Sequence, residues 1–88
     1  MLTPDFTSQF KKDYKMAMKR SFDISLLDRI VDDLVNEIQL SEKHKDHLLL
    51  GEYKGCRECH IKPDWLLIYQ VGNGIIVFER TGSHSDLF

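Results

Sequence analysis

From Leu27 onward, apolar side chains recur at Leu27, Ile30, Val31, Leu34, Val35 and Ile38, interrupted by Asp28, Arg29, Asp32, Asp33 and Glu37. Steps of three and four place the apolar set on one stripe of a helix and the acids on the opposite face. Ser21 to Asp23 supply its N-terminal cap. A first helix is predicted upstream, where Phe10, Tyr14 and Ala17 fall at helical spacing through about Arg20. Its start has two readings. Thr3 caps it with Pro4 in the first turn, or Met1–Phe6 is a short strand and Thr7 or Ser8 is the cap. The short link near Ser21 predicts an antiparallel helical hairpin.

Beyond a polar, histidine-containing loop from Ser41 to Gly51, the period changes. Tyr53–Ile61, Trp65–Val71 and Ile75–Thr81 are rich in β-branched and aromatic residues and read as three strands. Lys62-Pro63-Asp64 fits a tight turn, Gly72-Asn73-Gly74 is a hairpin signal, and Gly82–Phe88 reads as an irregular tail. The pattern predicts an α+β fold in the order β-α-α-β-β-β, a helical hairpin packed on a small antiparallel sheet. One sheet face is covered by the helices and the other is left partly open. Repeats and linkers are absent, so residues 1–88 are expected to form a single domain. A chain of this size buries only about 60–65% of its unfolded surface.

Composition narrows the class. A hydrophobic content of 42% with 30% charged residues argues against disorder. The chain shows neither a signal peptide nor an apolar run of the roughly 20 residues needed to cross a bilayer, so a cytoplasmic location away from membranes is expected. There Cys56 and Cys59 should be free thiols, one packed in the core and the other exposed. The formal charge of −2 is not that of a typical nucleic-acid binder, but the charge is segregated. Residues 11–20 carry Lys11, Lys12, Lys15, Lys19 and Arg20 against Asp13 alone; residues 21–40 are acidic apart from Arg29; residues 43–62 turn basic again. A local electrostatic footprint can coexist with an acidic total, although such runs are equally read as solvated helix faces.

In a three-strand meander, alternate turns lie at opposite ends. The end of the first strand run, the start of the second and the end of the third therefore meet, bringing His60, Asp64, Arg80 and the 82–88 tail together whatever the register. Which side chains share a face does depend on register, and the pattern leaves that open. Two histidines, a carboxylate and an arginine are the parts for RNA cleavage without a metal. An imidazole can take or give a proton near neutrality, a guanidinium fork matches phosphate oxygens, and an aromatic such as Phe88 can stack on a base. The competing reading is plain surface histidines with Arg80 paired to a surface acid.

Two rival signals occur. Cys56-Arg57-Glu58-Cys59-His60 matches the C-x-x-C-H haem pattern, and His44 and His47 with Cys56 and Cys59 have zinc-ligand chemistry. Odd spacing on a strand, however, points the two thiols to opposite faces unless a bulge intervenes. Neither cofactor nor metal is therefore expected. Trp65, Tyr69 and Phe78 are read as packing residues, His44 as a solvated loop residue, and Arg57 and Glu58 as ion partners with roles left open.

Three ordered segments resemble the YafQ-like branch of the RelE/ParE toxin superfamily: Asp46-His47-Leu48, then Gly55 through Tyr69, then Arg80 through Phe88. They include Arg57-Glu58-Cys59-His60-Ile61-Lys62-Pro63-Asp64 and the ending Arg80-Thr81-Gly82-Ser83-His84-Ser85-Asp86-Leu87-Phe88; the helical half is similar in pattern and length. The resemblance implies a RelE-like fold and a type II toxin that cuts mRNA in the ribosomal A site without a metal. It also implies inhibition by a cognate antitoxin, through a helix on an exposed apolar surface, with operator DNA bound only through the antitoxin complex. By the same resemblance His47, His60, Asp64, Arg80 and His84 are active-site positions and Phe88 the C-terminal aromatic. Arg80 is expected to stabilise the phosphate and His84 to be the general acid. His60 and Asp64 would remove or orient the 2′-hydroxyl proton, with His47 in support. Lys43, Lys45, Lys54 and Lys62, beside Phe88, are expected to bind substrate. The alternative is a non-cleaving toxin of the superfamily that blocks a target such as DNA gyrase, for which this acid/base set would be superfluous.

Overall fold

The structure, a computed structural model, describes residues 1–88. Strand β1 (Thr3–Phe6) leads into helices α1 (Ser8–Lys19) and α2 (Ile24–Val35). Then follow β2 (His47–Leu48), β3 (Arg57–Lys62), β4 (Trp65–Gly72), β5 (Ile75–Gly82) and a short helix α3 (His84–Leu87). The helical hairpin and the β3-β4-β5 meander are those the pattern implies. The sheet itself is mixed and five-stranded, in the order β1-β5-β4-β3-β2. β1 lies parallel to β5 and the two-residue β2 antiparallel to β3.

Local chemistry explains the boundaries. Thr7, extended at φ −67° and ψ 158°, caps α1 by accepting the Phe10 N–H at 2.9 Å, so the strand reading of the N-terminus holds. Pro4 is tolerated because β1 is an edge strand. Asp23 caps α2 by accepting the Ser25 N–H. That helix ends at Val35; Glu37 turns left-handed at φ 59°, and Ile38, counted in the apolar stripe, lies beyond the end and is 54% exposed. β3 begins at Arg57 rather than Tyr53, because Gly51–Tyr53 forms a 3₁₀ turn and Gly55 takes φ 90°. Asn73 and Gly74, both at positive φ, make the two-residue β4–β5 turn.

β4 is buried on both faces. Trp65, Leu67 and Tyr69 join Phe10, Leu27 and Phe78 in the core beneath the helices. Leu66 and Ile68 pack with Cys56 and Leu87 in a smaller cluster on the other face. The tail is therefore not irregular: α3 folds back, and its buried Leu87 roofs part of the face that the hairpin leaves open.

Candidate active site

Pairing partners across a sheet share a face, so the register decides which side chains meet. One row runs His47 (β2), Glu58 (β3), Ile68 (β4), Arg80 (β5), and the next joins His60, Leu66 and Gly82. Ile68 and Leu66 belong to the smaller cluster, which puts His47, Glu58, His60 and Arg80 on the face away from the hairpin. A bulge makes this possible for Arg80. Tyr69 pairs with Phe78, yet Ile68 pairs with Arg80, so Glu79 is an extra residue in β5. Without it Arg80 would face Leu67 and point into the helix-side core.

The imidazoles form a short chain. His47 Nε2 and His60 Nε2 lie 3.6 and 3.5 Å from the same Glu58 Oε1, and Glu58 is 5% exposed. The ring centroids of His60 and His84 are 5.8 Å apart, those of His47 and His60 6.4 Å. Asp64, in the β3–β4 turn, accepts two hydrogen bonds through Oδ1, from His84 N at 2.9 Å and His84 Nδ1 at 2.6 Å. These donors, the backbone N–H first, hold the Asp64 carboxyl below its ordinary range. With Nδ1 engaged, His84 presents Nε2. Nδ1 of His47 lies 2.6 Å from the Lys45 carbonyl, and Nδ1 of His60 lies 3.3 Å from the Pro63 carbonyl.

Arg80 stands two strands from Glu58, roughly 10 Å at ordinary strand spacing. Its Nε and Nη2 donate to Asp13 of α1 at 2.7 and 3.2 Å, and Asp13 also accepts the Thr81 N–H at 3.1 Å. Asp13 raises the guanidinium further above its already high ordinary value. The ion-pair reading of Arg80 was thus right about a partner, although that partner is largely buried. Asp13 takes two of its five N–H donors and the Tyr53 hydroxyl stands beside the guanidinium, which leaves further donors for an anion. Asp13, the lone acid of the basic 11–20 run, is the signal that sequence reading passed over.

Helix α3 begins at His84, leads into Phe88 and is anchored twice. Ser83 and Asp86 form a reciprocal capping box, and Arg20 at the end of α1 grips Asp86 at 2.7 and 3.2 Å. The Arg20 hydrogen bond and then the Ser83 N–H drive the Asp86 carboxyl far below its ordinary range. Gly82 is needed here, since a Cβ would sit 3.0 Å from the Asp86 side chain. Phe88, 63% exposed, meets Tyr53 edge to face at 5.6 Å. Tyr53, which the sequence did not single out, is thereby placed beside the site.

The loop before β2 is pinned as well. Asp46 accepts the Tyr69 hydroxyl at 2.7 and 2.8 Å and Arg57 Nε at 3.1 Å. Burial first, then Asp46, pushes the Tyr69 phenol far above its ordinary value. His44 is half-buried with Nδ1 2.7 Å from the His60 carbonyl, so it is not the solvated residue expected. Both thiols are buried, Cys59 in the helix-side core and Cys56 opposite, where the odd spacing puts them on different faces. They cannot share a ligand set, and the expectation that one is exposed fails because α3 covers Cys56. Burial pushes the Cys59 thiol up to about 12. No group of three or more His, Cys, Asp or Glu is arranged to hold a metal ion. Lys43, Lys45 and Lys62 line a cleft beside His60, whereas Lys54 is exposed just past the 3₁₀ turn and lies outside it.

A family model described as a bacterial toxin of type II toxin-antitoxin system, YafQ, matches residues 2–88. The mRNA interferase toxin YafQ of Escherichia coli K12 is 41% identical over 85 residues, 96% of this chain and 92% of that protein. The toxin in the crystal structure of the E. coli DinJ-YafQ toxin-antitoxin complex superposes with a TM-score of 0.92 at 40% identity, covering 99% of this chain and 97% of that one. A metal-bound toxin from Helicobacter pylori is 46% identical, with a TM-score of 0.92 and full coverage of both chains.

Proposed function

The chain belongs to the YafQ family of toxins of bacterial type II toxin-antitoxin systems, and on that premise we propose that its outer sheet face cuts mRNA on the ribosome by acid/base chemistry. It is an mRNA interferase whose partner is a cognate antitoxin, as the relatives' names and the complex of the related toxin support. No helix is long and apolar enough to cross a membrane. We place the protein in the cytoplasm, acting in the ribosomal A site, with operator DNA reached only through the antitoxin complex.

In the reaction, the 2′-oxygen attacks phosphorus as the bond to the 5′-oxygen breaks, leaving a 2′,3′-cyclic phosphate and a free 5′-hydroxyl. The observation that carries this reading is the Asp64–His84 contact. It fixes the ring through its Nδ1 proton, so that the imidazolium's second proton, on Nε2, faces the leaving 5′-oxygen and is given to it as that bond breaks, returning the ring to its neutral form. Asp64 is committed to His84 and stays ionised, which makes it an orienting group rather than the base. The His60–Glu58 pair receives the 2′-hydroxyl proton, with His47 on the other side of the same carboxylate. Arg80, steadied by Asp13, offers its remaining N–H donors to the phosphorane oxygens. Phe88, with Tyr53 behind it, stacks on an unpaired base.

The test is a defined mRNA on purified ribosomes, with 5′ ends mapped by primer extension. The reading expects cuts confined to the A-site codon with the wild type and none with His84→Ala. A folded wild type that arrests growth without cutting would overturn it in favour of a target-blocking toxin.

A further inference from the structure

Beside the catalytic face, where β3 runs past the two-residue β2 and its outer edge has no strand neighbour, a cleft of about 910 Å³ opens between β3 and α2. Arg29 projects into it from α2, Lys43 and Lys45 from the loop before β2, and Lys62 from the β3–β4 turn. One acid, Asp33, shares the lining. His60 and Pro63 form its near wall, so the cleft is continuous with the site proposed above.

Its cations are uncommitted. Arg20, Arg57 and Arg80 each hold an aspartate, whereas Arg29 has no ion pair, and neither do Lys43, Lys45 and Lys62. Four exposed cations converging on a concave surface repel one another, and an anion that neutralises several at once is favoured there. Arg29 is the only cation in residues 21–40, within an otherwise acidic helix, and it is turned toward the lysine loop. A chain of phosphates entering from His60 satisfies this geometry. The cleft offers spaced cations for the backbone and holds no Phe, Tyr or Trp on which a base could stack; of its two imidazoles, His60 belongs to the catalytic face and His44 is tied through Nδ1 to the His60 carbonyl.

We infer that this lateral cleft holds the phosphate backbone of the message strand leaving the scissile site, with Arg29 as its far anchor. Arg29 is a substrate-binding residue outside the catalytic chain of imidazoles. The inference rests on the ribonuclease reading and extends it, because it assigns the net-acidic protein a local means of gripping RNA.

The test uses the full-length toxin and ribosomes programmed with messages carrying a 2′-deoxy nucleotide at the cut position. One message ends at the A-site codon and the other extends several nucleotides beyond it. Wild type should bind the extended message severalfold more tightly, and Arg29→Gln should lose that advantage while Arg29→Lys keeps most of it. The slope of log affinity against log salt on the extended message should fall by about one for Arg29→Gln. An unchanged length advantage and salt slope would overturn the inference. Equal weakening on both messages would overturn it too, pointing to ribosomal RNA, as would weakened antitoxin binding with RNA binding intact. Cleavage of the matching all-ribose message by wild type, run alongside, separates these failures from failure of the ribonuclease reading itself.

Discussion

Asp64 Oδ1 receives both the backbone N–H and the Nδ1 of His84, at 2.9 and 2.6 Å, so one carboxylate oxygen caps the last helix and sets the orientation of its imidazole. The turn between β3 and β4 thus reaches across to the C-terminus, joining two segments that are far apart in sequence.

Removing the charge while keeping the shape isolates this contact. Asp64→Asn should lower kcat by about a hundredfold or more with little change in KM, since it disturbs the proton donor rather than the grip on RNA. A raised KM with kcat intact would make Asp64 a binding residue instead. Because the Asp64 carboxyl is held below its ordinary value of 3.8, it remains ionised from pH 5 to 8. Inflections of the wild-type pH–rate profile in that range should therefore come from groups other than Asp64, and a flat profile would count against acid/base roles for the site's imidazoles.

Asp86 should matter for stability as well as activity. Asp86→Ala loses the capping box and the Arg20 pair, a cost of about 1 kcal/mol, or some 4–8 °C in Tm for a domain of this size. Activity should fall with it, because α3 carries His84 and positions Phe88 at its end. The folded carboxyl titrates below its unfolded value of 3.8, so its stabilisation is complete above that pH and is lost as pH falls through the folded value. Denaturant melts of wild type and variant should differ at pH 7 and converge toward pH 2. A gap that persists in acid would show that the ionised carboxylate is not its source.

Tyr69 acts through the loop that bears His47. Tyr69→Phe removes both hydroxyl contacts with Asp46 and leaves Arg57 as that carboxylate's only remaining side-chain partner, costing about 1–3 kcal/mol. If the loss reaches activity through His47, Tyr69→Phe combined with His47→Ala should be no slower than His47→Ala alone. Fully additive losses in kcat would break the link. The raised phenol adds an alkaline signature. The folded state holds this proton more tightly than the unfolded chain, so wild-type stability should drop as pH rises above the ordinary tyrosine value of 10, and the variant's should drop less.

Much of this protein is determined by its sequence alone. Apolar periodicity needs only neighbours along the chain, and it marks α1, α2 and the three meander strands. Meander connectivity brings His60, Asp64 and the His84 segment to one end without knowledge of register. The odd spacing of Cys56 and Cys59 separates the two thiols in the same way. Tertiary structure decided what depends on partners distant in sequence. The parallel docking of β1 on β5, the ion pairs Asp13–Arg80 and Arg20–Asp86, and the roofing of Cys56 by Leu87 leave no periodic trace. The β5 bulge is the sharpest case. One extra residue, Glu79, reverses the side on which Arg80 emerges, and strand pairing rather than local preference sets where such a residue is inserted.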